Sequence, residues 1–203
     1  MAVIDDHSAH VNGKGPLMKE DIPRLHEEWM KSCEDIMRGV PEQLLPLREV
    51  NHQIPLIDES KWYNYHSPRC PDSLKPELKE KIAHYMHAGW WEPAQTEQAV
   101  LMFCVHKKDM KLQTVVDGCQ HNENTVKDVT PLPDQDIICL DIVRAKIHSK
   151  IDLSDAYEQI HIVPEDVHKM VFATIFRMFM SNVMQQGDCN APSMFQHSMN
   201  ITF

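Results

Sequence analysis

Three carboxylates follow one another at the end of a candidate strand, at Asp152, Asp155 and Glu158. Within residues 147–153 the odd-numbered positions are mostly apolar and share one side of that strand, so Asp152 lies on the opposite side. A carboxylate at a strand end beside a tight turn is a suitable ligand for a hard divalent cation. Taken alone, the pattern favours a turn or helix cap over a metal ligand.

A second group of charged residues lies between two apolar segments. Residues 99–105 have the composition of a buried strand, and residues 112–117 predict a strand that returns beside it. The turn between them holds Lys107, Lys108 and Lys111. The sequence therefore predicts a β-hairpin with cations at its tip. By itself, this pattern describes a solvated turn.

The remaining elements predict a mixed fold around these two groups. Asp21 is a candidate cap for a first helix that Gly39 ends, and Gly89 ends a second helix. The Trp90–Trp91 pair predicts core packing, and prolines keep residues 40–57 extended. We expect helices at 21–39, 72–89 and 137–143, an apolar strand at 171–176, and a final helix that starts at 190–192. This is an α+β order, without the regular βαβ alternation of a nucleotide-binding fold.

The composition is that of a globular domain with an extension. The chain has 203 residues, of which 42% are hydrophobic and 25% charged, and its net charge is −10. We expect a disordered tail over residues 1–20, a helix with an extended linker over 21–60, and the main domain over 61–203. Such acidity argues against a simple nucleic-acid coat, which needs a basic surface, but it permits an enzyme that grips nucleic acid in one groove.

The expected localisation follows from segments that the sequence lacks. No run of about 18 apolar residues predicts a membrane span, and the N-terminus has neither a basic segment nor an apolar signal core. The six cysteines are spread singly and form no Cys-x-x-Cys pair. We therefore expect an intracellular protein, cytoplasmic or nuclear, with free thiols and no membrane partner.

Around Asp152 the sequence resembles a known family. Residues 150–160, Lys-Ile-Asp-Leu-Ser-Asp-Ala-Tyr-Glu-Gln-Ile, are similar to the first catalytic motif of reverse transcriptases from gypsy-class LTR retrotransposons. Further blocks match in the same order, and the similar region covers residues 87–203. These blocks are Val105-x-Lys107-Lys108-Asp109 with Val116-Asp117, Asn124-Thr125-Val126-Lys127-Asp128, Pro131-Leu132-Pro133, and Gly187-x-Cys189-Asn190-Ala191-Pro192-x-x-Phe195-Gln196.

The resemblance implies a right-hand polymerase fold, with fingers and part of a palm over residues 61–203 and a helical and extended segment before them. It implies nucleotidyl transfer from a deoxynucleoside triphosphate to a primer 3′-hydroxyl, with an RNA or DNA template-primer as partner. That chemistry uses two Mg²⁺ ions, which activate the attacking oxygen and stabilise the leaving pyrophosphate. Asp152 matches the first metal ligand and catalytic carboxylate of the family.

The resemblance also assigns a nucleotide site and a template grip. Lys107 matches the lysine that folds onto the triphosphate, and the backbone at Ser154 and Asp155 faces the phosphates. Ala156 and Tyr157 form the floor under the sugar, where the Tyr157 ring excludes a ribose 2′-hydroxyl. The grip comprises Gly187, Pro192 and Gln196. Without the resemblance, a solvated turn, core packing or an exposed helix face is the simpler explanation at each position.

Several positions depart from the pattern of the family. Gln113 replaces the arginine that binds the triphosphate, and a neutral amide cannot supply a charged bidentate contact. Met110 stands at a hairpin glycine where a positive φ is needed, and Asp188 stands at an apolar position of the grip turn. The second metal motif, an aromatic residue followed by x-Asp-Asp, does not occur within the 203 residues. The other departures are Gly118, Cys119, His121, Met170, Arg177 and Gln185-Gln186.

We therefore expect a retrotransposon-derived fragment, a reverse transcriptase by descent and a pseudoenzyme as this chain alone, because Asp152 by itself cannot organise two Mg²⁺ ions. Two alternatives stay open. The first is a domesticated, non-catalytic module that binds nucleic acid or protein. The second is a metal-dependent hydrolase built on Asp152, Asp155 and Glu158, for which a second cluster of ligands is missing.

Overall fold

The chain divides into two compact units, Met1–Val40 and Pro41–Phe203. The computed structural model describes residues 19–34, 43–63, 66–144, 153 and 155–202. The strand predicted to end at Asp152 lies outside these ranges, and so does nearly all of the predicted tail over residues 1–20. Across the described ranges, no helix has the length and apolar character needed to cross a membrane.

The described part of the first unit contains helix α1 (Ile22–Ser32), which follows a 3-10 turn at Lys19–Asp21. A helix is confirmed here, but it ends at Ser32 with Cys33 as its C-cap, so the predicted end at Gly39 is wrong. The predicted cap is wrong, because Asp21 makes no side-chain capping hydrogen bond and instead pairs with Arg24 at 3.7 Å. Gly39 itself lies outside the described residues.

The second unit is built on a five-stranded mixed sheet with the spatial order β1-β5-β4-β2-β3. In chain order the strands are β1 (Trp91–Pro93), β2 (Val100–His106), β3 (Leu112–Asp117), β4 (Val171–Ala173) and β5 (Met178–Ser181). Strands β2 and β4 run parallel, and the other neighbouring pairs are antiparallel. The predicted hairpin is confirmed as β2 and β3.

The helices of this unit are α2 (Lys75–His87), α3 (Cys119–Glu123), α4 (Gln135–Arg144) and α5 (Ala191–Thr202). Helices α2, α4 and α5 confirm the three helices predicted after residue 71, and a 3-10 turn at Asp72–Leu74 precedes α2. Helix α4 has no buried residue along its described length. The predicted mixture of helices and strands is therefore correct.

An aromatic stack joins α2 to the sheet. The Tyr85 ring meets the Trp91 ring edge-on with centroids 4.7 Å apart, and Trp91 meets Phe172 at 4.8 Å. Phe172 in turn stacks on Phe179 of the neighbouring strand at 6.1 Å. All four side chains are buried, so this stack is the centre of the core. The predicted core packing of the Trp90–Trp91 pair is confirmed.

Helix α2 ends in a turn that requires a left-handed residue. Gly89 has φ +74°, its amide donates to Met86 O at 3.1 Å, and the Trp90 amide donates to Tyr85 O at 2.9 Å. The Trp90 ring then packs on Tyr85 with centroids 4.9 Å apart. This turn sets the direction in which the chain enters β1.

The tip of the hairpin is a tight turn with a left-handed residue. Met110 has φ +65°, which confirms the positive φ predicted at this position. The Met110 amide donates to Lys107 O at 2.9 Å, and the Lys107 amide donates to Lys111 O at 2.8 Å. Glu77 Oε2 accepts from the Leu112 amide at 2.8 Å, which ties the hairpin to α2.

Residues 43–57, the described part of the segment predicted to be extended, form no helix and run across the second unit, as the prolines predict. The His52 amide donates to His161 O at 2.7 Å, and His52 O accepts from the Val163 amide at 2.9 Å. Ile54 is 0% exposed, so this segment covers part of the core.

The strand predicted over residues 171–176 is wrong in its length, because β4 ends at Ala173. Thr174 donates twice to Arg177 O, from its amide at 3.0 Å and from Oγ1 at 2.8 Å. These bonds close a turn into β5. The residues at 174–176 favour strands by type, and the turn overrides that propensity.

Candidate functional site

A cavity of about 180 Å³ opens between α2, the β2–β3 hairpin and the turn that begins at Asp155. Tyr85 and Trp91 contribute apolar surface to its lining. The volume accommodates one part of a ligand rather than a whole drug-sized molecule. Its charged and amide side chains include Lys81, Lys107, Gln113, Asp155, Glu158 and Gln185.

Two residues that the resemblance assigned to the nucleotide, Lys107 and Asp155, line this cavity together. Both side chains are exposed. Lys107 is held by the hydrogen bonds of the hairpin tip. Asp155 has φ +46°, a left-handed conformation that aspartate tolerates better than most residues.

The other residues assigned to the nucleotide are placed differently. The Tyr157 ring packs edge-on against the Phe195 ring with centroids 5.6 Å apart, beside a buried apolar cluster. Ala156 is half-buried next to it. Asp152 and Ser154 lie outside the described residues. Tyr157 therefore belongs to an apolar contact beside the cavity rather than to its lining.

The grip turn is fastened to α3 through Gly187. Its φ is +100°, and a Cβ at this position would meet Val116 O at 3.2 Å, so the turn requires glycine. Asn122 Nδ2 donates to Gly187 O at 2.7 Å, and Asn122 Oδ1 accepts from the Cys189 amide at 3.0 Å.

Pro192 and Gln196, the other two grip residues, lie on α5. Gln196 Nε2 donates to Asn200 Oδ1 at 2.7 Å, one turn further along the helix. Neither residue is among those that line the cavity. The structure thus brings together Lys107 and Asp155, and it places the grip helix as a separate element.

Lys81 is a cavity residue that the sequence interpretation missed. Its Nζ donates to Thr114 Oγ1 at 2.8 Å and lies 4.9 Å from the centroid of the Tyr85 ring. Burial lowers the pKa of Lys81, while the charges of Glu158 and Asp155 act in the opposite direction. A signal was present, because Lys81 stands three residues after Leu78 and four before Tyr85, on the buried side of α2.

Glu158 lines the same cavity from the segment that begins at Asp155. The sequence interpretation did not assign it to the nucleotide site either. It is 8% exposed, and its Oε2 has no hydrogen-bond partner among the described residues. Burial raises the pKa of Glu158, and the charge of Asp155 adds to this, whereas Lys81 opposes it. The Nε1 of Trp91, another cavity residue, is likewise buried without a described partner. The cavity therefore contains polar atoms available to a ligand.

Asp188 forms a buried pair that the sequence did not predict. Its Oδ2 lies 3.0 Å from His52 Nε2, and the two side chains are 1% and 0% exposed, respectively. Asp188 Oδ1 accepts from the Asn190 amide at 2.8 Å. Burial opposes the carboxylate charge, but the hydrogen bond and charge of His52 outweigh it and lower the pKa of Asp188. The partners are 136 positions apart, so no local pattern reveals them.

A metal site is not formed by the described residues. Within the described ranges, no group of three or more His, Cys, Asp or Glu side chains could hold a metal ion. Asp155 and Glu158 share their cavity with Lys81 and Lys107, whose charges repel a divalent cation. Asp152, to which the resemblance assigns Mg²⁺, lies outside the described residues.

The chain is similar in sequence to retrotransposon polyproteins. It is 24% identical over 194 residues to the Transposon Tf2-3 and Tf2-7 polyproteins of Schizosaccharomyces pombe strain 972. The match covers 95% of this chain and 14% of each polyprotein, so the chain spans about a seventh of the length of these relatives. No family model matches the chain.

Solved structures of prototype foamy virus protease–reverse transcriptase have a similar fold. The selenomethionine-labelled CSH mutant gives a TM-score of 0.71 at 17% identity, over 90% of this chain and 24% of that chain. The fold is reverse-transcriptase-like. The foamy viral enzyme in complex with an RNA/DNA hybrid gives a TM-score of 0.67 at 15% identity, over 92% of this chain and 25% of that chain. Together with the polyprotein match, this supports a reverse-transcriptase-like origin for the chain.

Proposed function

We propose that the cavity is the nucleotide site of a reverse transcriptase-like polymerase module of the gypsy class, whose fingers and partial palm lie within residues 61–203. The observation that supports this is the meeting of Lys107 and Asp155 at one cavity. The resemblance assigned both residues to the nucleotide, although they come from segments distant in sequence. The fold shared with foamy virus protease–reverse transcriptase supports the same function.

The proposed substrate is a deoxynucleoside triphosphate. The reaction proposed by descent joins its α-phosphorus to a primer 3′-hydroxyl and releases pyrophosphate. Lys107 would bind the phosphates from the hairpin tip, and the resemblance assigns the backbone at Ser154 and Asp155 to the same phosphates. The resemblance assigns Ala156 and Tyr157 to the sugar, and in the structure the Tyr157 ring contacts Phe195 beside the cavity lining rather than within it. Asp152 is the carboxylate that would hold Mg²⁺, which would lower the energy of the charge developing on the phosphate.

The proposed macromolecular partner is an RNA or DNA template-primer. Two of the similar foamy virus structures contain an RNA/DNA hybrid and double-stranded DNA. In this chain Gly187, Pro192 and Gln196 would grip the template. The net charge of −10 implies a local and salt-sensitive contact rather than a general affinity for nucleic acid.

Substitution of two neighbouring lysines, Lys107 and Lys108, tests the proposed nucleotide site. Lys107→Ala should weaken binding of dATP about tenfold or more, because charge-assisted hydrogen bonds to phosphate contribute about 1.5–3 kcal/mol each. Lys108→Ala is the matched control, since Lys108 is exposed on the same turn but does not line the cavity. Isothermal titration calorimetry with Mg²⁺ present measures both. Equal affinities of the two variants would contradict the proposal.

We further propose that this chain alone does not extend a primer and that it is a retained binding module in its present form. The charges of the cavity support this, because Lys81 and Lys107 face Asp155 and Glu158, and Gln113 adds none. Primer extension with Mg²⁺ and deoxynucleotides measures activity directly, and extension above background would overturn this proposal. RNA binding that persists at physiological salt would identify nucleic acid, rather than protein, as the bound partner.

A further inference from the structure

The cavity has a neutral side chain at one position where phosphate binding calls for a cation. Gln113 lies on β3 within the lining, and the resemblance places an arginine there in the family. A neutral amide gives a weaker contact to phosphate than a charged group does. If the cavity binds a polyphosphate, a second cation besides Lys107 must come from another element.

Helix α2 supplies such a cation next to β3, at Thr114. Lys81 Nζ lies 2.8 Å from Oγ1 of Thr114, the residue after Gln113 along β3. The ammonium group also lies over the Tyr85 ring, at 4.9 Å from its centroid. These two contacts hold the Lys81 ammonium group between α2 and strand β3 of the hairpin.

The partners of Lys81 leave its charge available. A hydroxyl and an aromatic ring do not neutralise an ammonium group, and Lys81 forms no ion pair with a carboxylate of the described residues. Partial burial makes the charge of Lys81 costly in the ligand-free cavity, and the charges of Glu158 and Asp155 offset part of that cost. A bound anion would remove that cost, and the lining also includes Lys107 as a second cation.

We propose that Lys81 is a phosphate-binding residue of the cavity. It supplies the positive charge of the family's arginine, for which this chain has Gln113. This inference rests on the proposed nucleotide site and names the group that completes it. Glu158 has the opposite effect, because its buried carboxylate repels the same phosphates. Removal of the Lys81 charge should therefore weaken anion binding, and removal of the Glu158 charge should strengthen it.

Binding of inorganic tripolyphosphate and of dATP to the purified chain tests the proposal. Lys81→Met should weaken both about tenfold, because one charged contact to phosphate is lost. Lys79→Met is the matched control on the same helix, since Lys79 is exposed, lies over the Phe176 ring at 5.4 Å and is absent from the lining. We expect less than about a twofold effect from it.

A rescue variant distinguishes a binding role from a structural one. In the Lys81→Met background, Gln113→Arg should return tripolyphosphate affinity to within about threefold of the wild type. Glu158→Gln in the wild-type background should strengthen binding by several-fold, since it removes the opposing charge. Failure of the arginine to restore affinity, or weaker binding by Glu158→Gln, would overturn the assignment.

A measurement on the wild-type chain keeps the proposal testable if Lys81→Met does not fold. Acetic anhydride labelling followed by mass spectrometry should show that tripolyphosphate protects Lys81 and Lys107 and leaves Lys79 reactive. Protection of Lys107 without Lys81 would refute the role of Lys81 alone. Absence of any tripolyphosphate or dATP binding by the wild type would instead refute the nucleotide site itself.

Discussion

Buried charged side chains decide the electrostatics of this molecule at the scale of single residues. Lys81 and Glu158 face one cavity, and His52 with Asp188 forms a pair within the core. Glu158, His52 and Asp188 are buried and Lys81 is half-buried, so the groups around each of them determine which charge state is stable. The cavity lining holds two lysines and two carboxylates, so it is balanced in formal charge, although the whole chain carries −10.

The His52–Asp188 pair should make stability depend on pH in the acid range. The pKa of Asp188 is lowered in the folded chain, so its contribution is present above the unfolded pKa of about 3.9 and is lost as pH falls through the folded value. Asp188→Asn should lower the free energy of unfolding by about 2 kcal/mol at pH 6, and the difference from wild type should shrink below about pH 4.

Urea unfolding at pH 6 and pH 3 measures this difference. The control is Asp109→Asn, because Asp109 is exposed and its nearest ammonium, Lys111 Nζ, is 3.9 Å away. A constant difference between wild type and Asp188→Asn at both pH values would contradict the expected coupling.

At the scale of elements, two left-handed residues shape the ends of the helix and hairpin that form the cavity. Gly89 ends α2, and Met110 closes the β2–β3 turn. Glycine meets this requirement without strain, whereas a methionine in the same conformation is strained by its Cβ. The hairpin tip that positions Lys107 therefore contains local strain, and the end of α2 does not.

Substitutions at these two positions should have opposite effects on stability. Met110→Gly should raise the free energy of unfolding by about 0.5–1 kcal/mol, because the strain is removed and a side chain that is 66% exposed contributes little burial. Gly89→Ala should lower it by about 1 kcal/mol, since alanine must adopt φ +74°. Chemical unfolding measures both, and a shift of the same sign in the two variants would contradict the argument.

At the scale of the whole molecule, the aromatic stack is the contact that joins distant segments into one unit. It links α2 to β1, β4 and β5, while the hairpin reaches the same sheet through β2. Because the cavity walls come from α2, the hairpin and the turn at Asp155, the shape of the cavity depends on this core.

Loss of a central ring should therefore affect both stability and ligand binding. Phe172→Ala should lower the free energy of unfolding by about 3–5 kcal/mol, because Phe172 is 0% exposed. Phe176→Ala is the matched control, since Phe176 is 41% exposed, and about 1 kcal/mol or less is expected there. Thermal and urea unfolding, followed by dATP titration of the folded fraction, measure the outcome. Similar losses in both variants would argue against the stack as the centre of the core.

Local patterns of the sequence were sufficient to predict much of this structure. Periodicity, turn residues and resemblance within short windows predicted several features correctly. These are helices α1, α2, α4 and α5, the hairpin and the positive φ of Met110. The resemblance also predicted the reverse-transcriptase-like fold. Lys107 and Asp155, which it assigned to the nucleotide, line one cavity, and that assignment stays a prediction. The predicted strand was longer than β4, because the hydrogen bonds of Thr174 outweigh the strand propensity of its neighbours.

Only the tertiary structure decided which side chains meet across long separations. Three features join segments that are remote in sequence. They are the spatial strand order β1-β5-β4-β2-β3, the pairing of His52 with Asp188, and the approach of Lys81 to Thr114. Hydrophobic periodicity specifies which side of an element is buried, but it does not specify against which other element. Packing of the complete core makes that choice, and it brings Lys81 and Glu158 to the same cavity as Lys107 and Asp155.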